Sequence, residues 1–105
     1  MAQGDLTKEI EYDKIEVVMQ WNIQVRKATK VMEEQADGSK KEMTRSFHRH
    51  VLQPFQSVKG EDDKWTHTAT DISKEDASVQ AIANAAWTDD VKTAFKTFME
   101  RQTRP

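Results

Sequence analysis

The chain contains no cysteine, which excludes a disulfide framework, a thiolate metal site and a cysteine nucleophile. Its three glycines and two prolines leave no room for a glycine-rich phosphate loop or a glycine-framed nucleophile elbow. Long apolar runs are missing too, and no stretch approaches the roughly 20 residues of a membrane-spanning helix. Met1 to Tyr12 carries Asp5, Lys8, Glu9 and Glu11 without an apolar block, so it does not read as a signal peptide. Leu, Ile, Val and Phe together make only 19 of 105 residues, yet the net charge is just −2, too small for the self-repulsion that keeps a chain disordered. A single folded domain over residues 1–105 with a thin core is therefore expected, with 1–11 as a flexible arm and 56–64 as an acidic loop.

The strongest pattern present is a period of two. Ile15, Val17, Met19, Trp21, Ile23 and Val25 alternate with Glu16, Val18, Gln20, Asn22, Gln24 and Arg26, which places an apolar and a mostly polar face on one extended strand. Asp37-Gly38 supplies a hairpin turn, and a return strand ends before Pro54, which cannot donate a ladder hydrogen bond. A two-residue loop pairs residues whose numbers sum to 75, so that Arg26 faces Arg49 and Lys30 faces Arg45. A three-residue loop instead pairs odd with odd.

Gly60 and the run Glu61, Asp62, Asp63 read as a solvated loop, whereas Trp65 to Thr70 has the β-branched and aromatic content of a short strand. The last third changes to helical spacing. Ser73 with Asp76 resembles a capping box ahead of Val79, Ile82, Ala83 and Ala86. Thr88, Asp89 and Asp90 suit a fresh helix start, with Val91, Ala94, Phe95, Phe98 and Met99 as its apolar stripe, so the segment is either two short helices or one helix kinked near Trp87 and Thr88. The fold class that follows is α+β: an antiparallel β-meander with a long hairpin over about 12–34 and 40–53 and a third strand over 64–70, covered by a C-terminal helical segment over about 74–87 and 89–101. Trp21 and Trp87 are expected in the core. Trp65 follows a charged loop, where it is either an interface anchor or the first buried residue of the third strand.

His48 and His50 are alternate residues on a strand and so point the same way, as two metal ligands would. A third ligand would have to come from His67, Asp71 or an acid of the Glu61 to Asp63 loop, which would make a metal-dependent enzyme the third reading, but no local sequence fixes it and ordinary histidines bonded to neighbours are the better expectation: no metal, no cofactor. Ser46 lies two residues from His48 without an oxyanion loop, so no catalytic residues are assigned and the chain is not read as an enzyme. The segment from Arg26 to Gln53 holds seven basic and four acidic residues. Like charges directly opposed destabilise a sheet unless an anion covers them. Arg26, Lys30, Arg45, Phe47 and Arg49 are accordingly candidates for nucleic-acid phosphates with Phe47 as a stacking platform, or for the acids of a neighbouring subunit or of the chain's own Glu61 to Asp63 loop. A hairpin of this length projects beyond a domain of this size, so its edges need covering, and Val31, Met32 and Met43 are placed to meet a second copy. A homo-oligomer is expected.

The segments EYDKIEVV, VRKATKVMEE, SFHRHVLQP and DISKEDASVQAIANAAWTDDVKTAF together resemble small uncharacterised proteins of marine tailed phages and ocean metagenomes. The resemblance covers most of the chain and contains no catalytic motif. It implies a non-enzymatic accessory or virion-associated protein located in the virion or the host cytoplasm, with other phage structural proteins as partners.

Overall fold

The computed structural model describes residues 4–101. In chain order it forms β1 (Leu6–Val18), β2 (Asn22–Glu34), β3 (Lys40–Leu52), β4 (Phe55–Lys59), β5 (Trp65–Ala69), α1 (Ala77–Ala86) and α2 (Asp89–Arg101). The first three strands make an antiparallel sheet in the order β1-β2-β3, and β4 and β5 make a second, two-stranded sheet. The protein is α+β.

The long strand expected over 12–34 is two strands. Met19 (φ 58°) and Gln20 (φ 72°) both adopt the left-handed conformation, as both central residues of a type I′ hairpin loop must. The apolar beat from Ile15 to Val25 therefore crosses a turn. Trp21, Ile23 and Val25 are buried, whereas Val17 and Met19 are 46% and 53% exposed. Leu6–Glu11, expected as part of an arm, belong to β1, and residues 1–3 lie outside the described residues. The third strand of the meander is thus β1, at the N-terminal side. The strand expected over 64–70 forms as β5, but it pairs with β4, whose residues 55–59 include the first part of the expected acidic loop.

The turn at Gly38 has three loop residues. Gly38 N donates to Gln35 O at 3.0 Å and Gln35 N to Ser39 O at 2.7 Å, while Gly38 itself sits at φ 85°. The β4–β5 loop repeats this arrangement residue for residue. Asp63 N donates to Gly60 O at 3.1 Å, Gly60 N donates to Lys64 O at 2.8 Å, and Asp63 at φ 63° holds the place of Gly38. In both loops an Asp carboxylate accepts the backbone N–H two residues on: Asp37 from Ser39 at 2.9 Å and Asp62 from Lys64 at 3.1 Å. This is the side-chain turn bond that favours Asp in such loops.

The chain groups into two compact units. One comprises the described residues up to Ile15 together with Val25–His50; its buried hydrophobic residues among those described are Val25 and Ala28. The other comprises Glu16–Gln24 and the chain from Val51 onward, and it holds Trp21, Ile23, Val79, Ala83, Trp87 and Phe95 in its core. There Trp21 meets Phe95 edge-on at 5.8 Å and Phe98 at 5.1 Å between ring centroids, and Phe55 stacks on Phe95 at 6.4 Å. These geometries are favourable for aromatic pairs.

The two helices begin differently from each other. Asp76 is itself the N-cap of α1, accepting from Ser78 N at 3.1 Å, so the expected Ser73–Asp76 capping box does not form. Ser73 N is taken instead by Asp71 Oδ1 at 2.9 Å, because the short Asp side chain closes its own turn first. For α2, Thr88 Oγ1 accepts from Val91 N at 3.3 Å and Asp89 and Asp90 occupy the first turn, where the helix dipole favours negative charge.

Candidate functional site

The five residues picked out on the basic hairpin are brought together in the first unit, along with acids that sequence reasoning did not supply. Arg26 forms a two-bond fork with Asp13, Nε to Oδ1 at 2.9 Å and Nη2 to Oδ2 at 2.8 Å. Lys30 Nζ lies 2.9 Å from Glu11, and Lys40 Nζ lies 3.7 Å from Glu9. Arg45 reaches Glu42 at 2.7 Å and Asp13 at 3.9 Å. Glu9, Glu11 and Asp13 are alternate residues of β1 and therefore share a face, and that face is the one carrying the cations.

Phe47 sits among the cations. The guanidinium of Arg26 is 4.6 Å and that of Arg49 5.8 Å from its ring centroid, both within cation–π range. Arg45, Phe47 and Arg49 share this face by strand alternation. Glu42 reaches the same group through its ion pair with Arg45, three residues on.

The like charges gathered there are stabilised by the carboxylates of β1. The hydrogen bonds from Arg26, aided by the charges of Arg26 and Arg45, hold the Asp13 carboxyl below its ordinary range against the opposing effect of burial. The Glu42 carboxyl is lowered in the same direction, first by its hydrogen bond from Arg45 and then by the charges of Arg45 and Lys30. Bidentate geometry makes the Arg26–Asp13 pair stronger and more directional than an ordinary surface contact.

His48 and His50 lie side by side, their ring centroids 5.8 Å apart. No group of three or more His, Cys, Asp or Glu among the described residues is placed to hold a metal ion. His67, the third candidate, is engaged within the second unit. Ser57, directly opposite it across β4–β5, places Oγ 2.6 Å from His67 Nδ1. His67 Nε2 is 3.4 Å from Glu100 Oε2, without the alignment of a hydrogen bond. Trp65 is the first residue of β5, half-buried, and its ring lies parallel to that of His67 at 5.9 Å.

Ser57, His67 and Glu100 thus stand in the serine–imidazole–carboxylate order used for nucleophile activation, a constellation invisible in sequence because its members are 10 and 33 residues apart. Catalysis also requires a substrate cavity and donors for a developing oxyanion. A cleft of about 390 Å³ is lined by Val51, Leu52, Gln53, Phe55, Gln56 and Thr70, and one of about 480 Å³ by Ala94, Thr97, Phe98 and Arg101. Neither includes Ser57 or His67. What the geometry shows is a cross-strand Ser57–His67 hydrogen bond with the Glu100 carboxylate 3.4 Å from the far ring nitrogen.

No family model matches this chain, and no curated protein or solved structure shows significant similarity to it.

Proposed function

We propose that the chain is a non-enzymatic structural or assembly subunit that works through self-association and protein contacts, as a phage accessory or virion-associated protein would. The observation that carries this reading is the exposure of β3. It is an edge strand, every residue from Lys40 to Arg49 is exposed, and the unit it belongs to buries only Val25 and Ala28 among its described hydrophobic residues. A sheet needs an apolar face packed on something to be stable, and an uncovered edge strand recruits another strand. Met43 and Phe47 stay 50% and 46% exposed on β3, which leaves apolar surface for a partner to cover. The phage setting, in the virion or host cytoplasm, rests on the resemblance of the four sequence segments above. Light scattering on purified protein at tens of micromolar should give a multiple of 12.1 kDa; a clean monomer overturns the reading.

A second reading has one observation in its favour, the Phe47 ring flanked by Arg26 and Arg49, a plausible platform for a nucleic-acid base. Phosphates would have to displace the carboxylates that hold Arg26, Lys30 and Arg45. Salt-dependent retention of single-stranded DNA supports this reading, and no retention at low salt removes it.

A further inference from the structure

We infer that copies of this chain join head to tail, the β3 edge of one copy pairing with the β1 edge of the next. The inference deepens the self-association reading above and rests on it. Strand order β1-β2-β3 leaves two edges, and the edges differ in charge. On the face with the ion pairs, β1 presents Glu9, Glu11 and Asp13, while β3 presents Lys40, Arg45 and Arg49 against the single acid Glu42.

Three edge pairings are available, and charge separates them. Joining β3 to β3 sets arginines and lysines against their own copies, and joining β1 to β1 does the same for three carboxylates. Directly opposed like charges destabilise a ladder. A symmetric β3 pairing offers its cations the single acid Glu42, whereas β3 against β1 sets them against three carboxylates, Glu9, Glu11 and Asp13. The arrangement already exists inside one copy, where the β1 carboxylates at Glu9 and Asp13 reach past β2 to Lys40 and Arg45. Four of the charged side chains keep room for a second partner, Glu9 and Glu11 being 45% and 50% exposed and Lys40 and Arg45 38% and 33%, while Asp13 at 11% is committed within its own copy. Leu6 and Ile10, 63% and 61% exposed on the other face of β1, add apolar surface that an incoming strand would cover.

A head-to-tail contact is heterologous, so it closes into a ring when the rotation between copies permits and otherwise grows as a filament. A two-fold dimer is the outcome of either symmetric pairing. The subunit count therefore carries information, since a closed ring with an odd number of copies is reachable only through the heterologous contact.

The test is zero-length carbodiimide coupling of a one-to-one mixture of ¹⁴N- and ¹⁵N-labelled wild-type protein, followed by mass spectrometry of the peptides. Only links between copies carry both isotopes. The expected result is mixed-isotope links from Lys40 or Lys41 to Glu9 or Glu11, lost when the mixture is diluted until it dissociates. Mixed links between Lys41 and Glu42, reporting β3 on β3, or between Lys8 and Glu11, reporting β1 on β1, overturn the head-to-tail contact while leaving self-association intact. Mixed links confined to other segments do the same. A monomeric mass with no mixed links removes the self-association reading itself.

Discussion

The indole Nε1 of Trp87 donates a hydrogen bond to the main-chain oxygen of Trp21 at 2.8 Å, and both residues are buried. This bond ties the C-terminal cap of α1 to the turn between β1 and β2, beside the Phe95 and Phe98 rings that pack on Trp21. Trp87→Phe keeps an aromatic ring but strands the carbonyl, and should cost about 1–3 kcal/mol in urea denaturation. Phe95→Ala, which empties a fully buried site, should cost about 3–5 kcal/mol.

The two matched hairpin loops give a paired prediction. Gly38 and Asp63 occupy the same left-handed position in their loops, and only glycine does so without steric strain. Asp63→Gly should raise stability by about 0.5–1 kcal/mol, and Gly38→Ala should lower it by about 1 kcal/mol or more. Thermal melts of the two variants should move in opposite directions. Replacing Met19-Gln20 with Asn-Gly should stabilise as well, because both positions have positive φ and that dipeptide suits a type I′ loop.

That last loop also explains where sequence reasoning succeeded and failed. The turn at Gly38 was legible because Asp-Gly is a turn signal, and the helical segment because Val79 and Phe95 fall on stripes of helical period, though the stripes alone left its division into two helices at Trp87 and Thr88 open against a single kinked helix. The turn at Met19-Gln20 was not, since neither residue marks a turn and the apolar alternation runs through it unbroken. Missing it concealed β1, and with β1 the carboxylates Glu9, Glu11 and Asp13 that neutralise the basic face. The opposed cations were therefore readable while their partners were not. Ser57 and His67 became neighbours only through the β4–β5 register, which Gln56 and Val58 gave no means of anticipating.

The Ser57–His67 contact makes a prediction about protons. Ser57 donates to Nδ1 when that nitrogen is bare and accepts from it when it carries the proton; the Glu100 carboxylate 3.4 Å from Nε2 favours the proton on Nε2 and so Ser57 as donor. Nitrogen NMR should find His67 as the Nε2–H tautomer, with Ser57→Ala shifting it toward a mixture. A fluorophosphonate probe should leave Ser57 unlabelled, as a structural hydrogen bond requires; stoichiometric labelling would make the trio catalytic.

Stability should fall in acid. The Asp13 and Glu42 carboxyls are lowered by their arginine partners, and those of Asp37 and Asp76 by hydrogen bonds from Ser39 and Ser78. Groups lowered by folding contribute their stabilisation in full above the ordinary carboxylate range and lose it as pH drops through the folded-state values. The denaturation midpoint should hence be flat near neutrality and decline below the ordinary carboxylate range. In Asp13→Asn, which no longer titrates there, the decline should be shallower.

Backbone amide hydrogen exchange as a function of protein concentration tests the exposed edges most directly. In a lone copy the amides of β3 that point away from β2 have no ladder partner and exchange quickly. If copies assemble through these edges, protection across Lys40–Arg49 and Leu6–Asp13 rises together as concentration increases. Outward β3 amides that exchange freely at every concentration, in a protein that stays monomeric, would contradict self-association through this sheet.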